Sequence, residues 1–178
     1  MSTSALQLFF STGTQYYVSG RYAVFAGLSP VAGNLLHHAV EMYLKGALCE
    51  HMTLDQLKSM YHNLPKIWDC FKAQVAAPGL DIFDALISSL DAFEELRYPD
   101  SILSSGMIVK IGVSRVAGAS TEGPARPEPK YEVYLEEVDP LVDKIFASAS
   151  VNPDFFLAGL NTRAREYLKE ANVHGWAG

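Results

Sequence analysis

The chain has 178 residues, 49% hydrophobic and 19% charged, and 14 Lys and Arg against 20 Asp and Glu give a net charge of −6. That length suits one ordinary domain with its own core, and the apolar share excludes a wholly disordered chain. A pI near 5.3 argues against a nonspecific DNA coat, which needs a dense basic face, without excluding a local basic groove.

Met1 to Leu8 lacks the basic start of a signal peptide, and no run of about 18 uncharged apolar residues follows. Cys49 and Cys70 form no CxxC pair and read as two reduced thiols. The expectation is a cytoplasmic protein with no membrane contact.

Tyr17, Val18, Tyr22, Phe25 and Ala26 recur at helical spacing, which predicts a first helix over Thr14 to Leu28 with Arg21 exposed or paired. Ser29 then reads as an N-cap, with Pro30 at the first helical position. From Pro30 to His51 the pairs Leu35-Leu36, Ala39-Val40, Tyr43-Leu44 and Ala47-Leu48 lay down a broad apolar face. His37, Glu41 and Lys45 climb its flank, and Glu41–Lys45 has the favourable orientation for a helical ion pair worth roughly a few tenths of a kcal/mol. A short helix from Thr53 to Tyr61 follows. Asn63 caps the next one, which runs to Val75 with Pro65 in its first turn. Ile82, Phe83, Leu86, Ile87, Leu90, Phe93 and Leu96 form the inner face of a helix over Asp81 to Arg97. Asp84, Asp91, Glu94 and Glu95 make its outer face acidic, and Pro99 ends it.

At Gly106 the period changes from helical to alternating. Val109, Ile111 and Val113 alternate with Lys110, Gly112 and Ser114, and Tyr131, Val133 and Leu135 alternate with Glu132, Tyr134 and Glu136. Two strands joined by the Gly- and Pro-rich stretch Ala117 to Lys130 predict a β-hairpin with a long mobile tip. Lys110, Arg115, Arg126 and Lys130 make this the one locally basic stretch. Helix resumes over Val138 to Ala149 and again over Pro153 to Asn172, with Asn152 as the cap of the second. The fold class is all-α: an up-and-down bundle of about six helices in a single domain, residues 1–178, with a hairpin inserted at 106–138.

Phosphate loops, dinucleotide fingerprints and nucleophile elbows are absent from the sequence, so it implies no cofactor. His37, His38 and Glu41 offer metal ligands on one helix, but no HExxH motif or distant Cys/His set completes them, and no metal is expected.

Three ordered segments carry a family pattern: His38-Ala39-Val40-Glu41-Met42-Tyr43-Leu44-Lys45-Gly46, His62-Asn63-Leu64 and Leu96-Arg97-Tyr98-Pro99-Asp100. They resemble the H-A-V/I-E-x-x-L-K-A helix, the H-N/D-L step and the R-Y-P helix end of HEPN domains (higher eukaryotes and prokaryotes nucleotide-binding). The resemblance covers Tyr17 to Asp100 and the helix from Pro140. It implies a helical bundle that forms a homodimer, binds a nucleotide or RNA, and works beside a nucleotidyltransferase-type partner in toxin–antitoxin or defence systems. Many such domains are metal-independent RNases with an R-x4-6-H motif, in which Arg steadies a phosphate and His moves a proton. Here Ile102, Leu103 and Ser104 stand where that His would follow Arg97, so the usual pair is incomplete.

The anion- or RNA-binding candidates are therefore Arg97, Tyr98, Asp100, His62 and His37, with Glu41 and Lys45 as a structural pair. Two other readings stay open. One is an RNase rebuilt around Arg97 with His62 or His37, and the other is a purely structural adaptor docking through the hairpin. Against any site role, Arg97 has an ion pair with Glu94 or Asp100, and His62 has a helix-start bond to nearby backbone.

Overall fold

The computed structural model describes residues 4–75, 77–98, 109–115 and 131–172. Ser4 opens α1 (Ala5–Phe25) with a reciprocal capping box, its hydroxyl accepting from the Gln7 N–H and its own N–H donating to the Gln7 side chain. The cap starts the helix well before Thr14, where the apolar spacing becomes regular. α2 (Val31–Leu48) packs along α1. The two axes approach closely where glycines face rings: a Cβ on Gly13 would lie 2.7 Å from Tyr43, and one on Gly46 2.6 Å from Phe10. Pro30, not Ser29, occupies the N-cap of α2 without a side-chain bond, and the Leu28 carbonyl accepts from the Ala32 N–H instead.

The next two helices start where predicted, and Asn63 is the cap expected of the second. Thr53 and Gln56 box the start of α3 (Leu54–Ser59), and Asn63 Oδ1 accepts from the Lys66 N–H at 2.9 Å in the first turn of α4 (Leu64–Val75). The stretch from Asp81 to Arg97 is helical throughout but not uniform. A 3₁₀ turn (Asp81–Phe83) leads into α5 (Asp84–Ala92), and a second 3₁₀ turn (Phe93–Arg97) leaves it. Phe83, Leu86, Ile87, Leu90, Phe93 and Leu96 are buried, whereas Ile82 is 77% exposed. The tighter winding of the first turn rotates Ile82 off the apolar face.

The hairpin expectation is corrected. β1 (Val109–Gly112) and β2 (Tyr131–Tyr134) do pair, but in parallel, with Val109 opposite Tyr131 and Gly112 opposite Tyr134. Alternation reports which face a residue takes and says nothing of strand direction. Residues 113–130 are long enough for the crossover of a dozen or more residues that parallel strands require. The expected tip, 117–130, lies outside the described residues. Arg115 is not a free docking cation, since Glu137 binds it at 3.0 Å and Glu132 lies 3.5 Å away.

The second strand passes directly into α6 (Leu135–Ser148), so Leu135 opens a helix instead of closing a strand. The single helix expected over Pro153 to Asn172 is two, α7 (Asp154–Leu157) and α8 (Thr162–Lys169). Gly159 weakens the helix between them, and Asn161 starts a new one by accepting from the Ala164 N–H at 2.9 Å. The described residues are thus mostly helical with one small two-stranded sheet. No helix among them is long and apolar enough to cross a membrane.

One aromatic cluster fills the centre, with the Phe146 ring 4.7 Å from Phe10 and 4.9 Å from Tyr43. Beside it lies a charge inside the core. Arg21 is completely buried and forms an ion pair with Asp139 of α6, while its Nε donates to the Tyr167 carbonyl at 2.9 Å and its Nη2 to that of Glu170. The Tyr17 hydroxyl also donates to Asp139. Burial and the nearby Asp139 carboxylate together push the Tyr17 phenol well up. Asp139→Ala would strand the guanidinium and should cost about 3–5 kcal/mol in urea unfolding. Replacing both partners, Arg21→Met with Asp139→Leu, should cost less than Asp139→Ala alone; an equal or greater loss would show that the two do not act as a pair.

Candidate functional site

The flank of α2 predicted from His37, Glu41 and Lys45 is buried, because the corner at residues 60–63 and the 3₁₀ turn Phe93–Arg97 lie over it. Glu41 sits at its centre with no exposure. Lys45 Nζ donates to Glu41 Oε1 at 2.7 Å and to the Tyr61 carbonyl at 2.6 Å. On the other oxygen, Oε2, converge His38 Nδ1 at 3.2 Å and His62 Nδ1 at 3.0 Å. Burial alone would raise the Glu41 carboxyl, but the bonds from His38, His62 and Lys45 outweigh it and hold the group down at about 2. The Glu41–Lys45 pair is therefore present as expected, but as a buried pair whose loss costs far more than that of a surface pair.

His37, one turn before Glu41, is fully buried. Its Nδ1 bonds the Leu90 carbonyl at 3.1 Å, which places the proton there and leaves a lone pair on Nε2. Nε2 faces Glu41 Oε2 at 3.9 Å and Glu94 Oε2 at 4.0 Å. His37 Nε2 and Glu94 Oε2 are both buried without a hydrogen-bond partner. Burial pushes the His37 imidazole down, which keeps it neutral.

Arg97 ends the 3₁₀ turn and is 41% exposed, its Nη1 bonded to Glu94 Oε1. The ion pair with Glu94 that the sequence offered is thus formed; Asp100 lies outside the described residues. The bond from Glu94 pushes the Arg97 guanidinium further up. Beside it an open groove of about 440 Å³ is lined by Tyr61, His62, Asn63, Asp91, Ala92, Glu94, Glu95 and Tyr98. His62 is 49% exposed there, and its ring bonds Glu41 where a helix-start bond to backbone was expected. Two large aromatic side chains line the same groove, with Tyr61 76% and Tyr98 66% exposed.

The groove's three carboxylates are all engaged. Asp91 Oδ1 accepts from the Leu64 N–H at 2.9 Å, Glu94 holds Arg97, and Glu95 Oε2 accepts from the Tyr131 hydroxyl at 3.0 Å. The acidic face predicted for α5 is thus a set of joints to other elements. Of the predicted site residues, the structure gathers His37, His62, Glu41, Lys45, Arg97 and Tyr98 into one region. Sequence reading missed Glu94, His38 and Tyr61 as members. The spacing of Glu94 to Arg97 was a usable signal for the first, and no local pattern marks Tyr61.

A scan against protein-family models finds no match, and searches of curated proteins and of solved structures find none similar.

Tyr61 has φ 52°, left-handed backbone that a side chain with a Cβ adopts at a cost of about 1–2 kcal/mol. Tyr61→Gly should therefore raise the urea midpoint, by about 1 kcal/mol of stability, while the Lys45 bond to its carbonyl is retained. Glu41→Ala, which leaves Lys45 buried and unpaired, should cost about 3–5 kcal/mol in the same measurement.

Proposed function

We propose that the chain is an atypical HEPN-like binding protein whose groove beside His62 takes a nucleotide or an unpaired RNA base. The observation that carries this reading is that two exposed tyrosines, Tyr61 and Tyr98, line one groove together with His62, and that Arg97 is bonded to Glu94 of its wall. Aromatic faces stack on bases without regard to sequence, and a guanidinium presents a planar fork to a phosphate. Carboxylates such as Asp91 and Glu95 accept from the ring and exocyclic N–H groups of a base. About 440 Å³ falls in the range of small-molecule sites. The three segments quoted for the family resemblance, at His38–Glu41, at His62 and at Arg97–Tyr98, meet at this place, which supports treating them as one site.

The density of carboxylates sets the kind of ligand. A long polyanion laid across Asp91, Glu94 and Glu95 meets repulsion, whereas one base with one phosphate at Arg97 does not.

A second reading, RNA cleavage, is favoured by the bond between His62 Nδ1 and Glu41 Oε2 at 3.0 Å. A buried carboxylate that orients an exposed imidazole leaves its far nitrogen, Nε2, free to move a proton, with Arg97 as the phosphate-side charge.

Anisotropy of a labelled short single-stranded RNA and competition by free mononucleotides test the binding reading. Binding at low salt should weaken as salt rises. Tyr98→Ala should lose about 1–3 kcal/mol of affinity, the value of one stacked base, and Arg97→Ala should weaken both binding and its salt dependence. Tyr61→Gly should lose affinity without losing stability. No retention of RNA or nucleotide at low salt would end this reading and leave the structural adaptor. Cleavage of labelled RNA in the presence of chelator, abolished by Arg97→Ala and by His62→Ala, would establish the second reading.

A further inference from the structure

We propose that His37, His38, Glu41 and Glu94 form a binding site for a divalent zinc-type cation. Nothing in this inference depends on the nucleotide reading of the adjacent groove.

Two carboxylates, Glu41 fully buried and Glu94 27% exposed, face the buried His37 ring. Each has one oxygen held by a cation: Glu41 Oε1 by Lys45 at 2.7 Å, and Glu94 Oε1 by Arg97. Each turns its other oxygen inward, where Glu41 Oε2 and Glu94 Oε2 stand 3.9 and 4.0 Å from His37 Nε2. With the His37 proton on Nδ1, these three inward atoms are all acceptors. His37 Nε2 and Glu94 Oε2 have no hydrogen-bond partner, although a buried acceptor left unpaired is costly. Three acceptors aimed at one point, two of them unsatisfied, call for a positive centre between them.

Ligand identity and spacing choose the ion. The metal-binding atoms of His37, His38 and Glu41 lie within 4.8 Å of one another. Bonds of 2.0–2.2 Å about a tetrahedral zinc put its ligand atoms about 3.3–3.5 Å apart. The separations here, 3.2 Å from His38 Nδ1 to Glu41 Oε2 and 3.9–4.0 Å from His37 Nε2 to the two carboxylates, lie near that value. Binding moves the proton that His38 Nδ1 donates to Glu41 onto the far ring nitrogen and swings in the Glu94 carboxylate, which is not among the three groups within 4.8 Å of one another. Two imidazoles and two carboxylates suit zinc, whereas magnesium and calcium prefer all-oxygen shells. Two carboxylate charges balance the ion, and Lys45, Arg97 and His62 remain outside as partners of the ligating groups. The bond from His37 Nδ1 to the Leu90 carbonyl fixes the ring with its lone pair inward, the support that metal-bound histidines commonly have. Glu94 also lines the open groove, which gives a hydrated ion a way in.

The sequence missed this site because it showed two ligands at i, i+4 and no distant set; the missing donor, Glu94, comes from a different helix.

The test uses the full chain, stripped of metal by chelator dialysis and titrated with zinc chloride in the absence of any nucleotide. Isothermal titration calorimetry should show one high-affinity site, and one zinc per chain should survive gel filtration. His38→Gln and Glu94→Gln, both at partly exposed positions, should keep the wild-type far-UV circular dichroism and weaken zinc binding by at least about tenfold. The inference is overturned if the wild-type chain retains no zinc, or if both variants bind it as tightly as wild type. Because no nucleotide is present, either result leaves the RNA-binding measurements to be judged on their own.

Discussion

A carboxylate buried without exposure in the middle of α2 organises this part of the molecule. Glu41 has been taken out of water, which is unfavourable unless its charge is matched and its lone pairs are filled. Lys45 matches the charge, and His38 and His62 fill the inner oxygen. Each of those bonds has a structural consequence. The same Lys45 ammonium holds the Tyr61 carbonyl, and so fixes a left-handed corner that local preference disfavours. The His62 bond fixes the direction in which α4 leaves that corner. The position of the groove thus follows from how one charge is satisfied.

The same solution appears where α1 meets α6 and α8. Arg21 is buried there as completely as Glu41, and Asp139 answers it from α6 while two carbonyls near the end of α8 take its remaining donors. Apolar packing does not specify which helix end lies over which, since aromatic rings tolerate several arrangements. A guanidinium that must reach one carboxylate and two particular carbonyls accepts very few. In both places a buried ion joins elements distant in the chain.

What was legible in the sequence was local. Asn63 caps the helix it was expected to cap, and a helix starts at Thr53 as expected, because a capping bond spans three residues and its partners are close in the chain. The inner face of α5 was readable from spacing alone except at Ile82, where the backbone is 3₁₀ and the period changes. What was not legible was non-local. Strand alternation at Val109 and Tyr131 is the same in parallel and antiparallel pairs, so it could not give the direction. The fate of Arg21 depends on an aspartate 118 positions away, and α2's polar flank looked solvated because nothing local shows what covers it. The same limit applied to the site. His62 and Arg97 were each readable as candidates and Glu41 as a structural pair, but the bond of His62 to Glu41 and the shared groove beside Glu94 are properties of the fold.

The net charge of −6 finally bears on what the groove can hold. Counted as bare charges, Asp91, Glu94 and Glu95 make it hostile to any phosphate. Their bonds alter that count: one caps a helix, one is neutralised by Arg97, and one accepts from Tyr131. The field a ligand meets is set by what remains unpaired after folding, and that is a half-exposed guanidinium at the rim beside acceptors whose charge is already partly answered. The acidic composition is therefore compatible with the proposed anion site at the rim, because Asp91, Glu94 and Glu95 are each bonded within the fold.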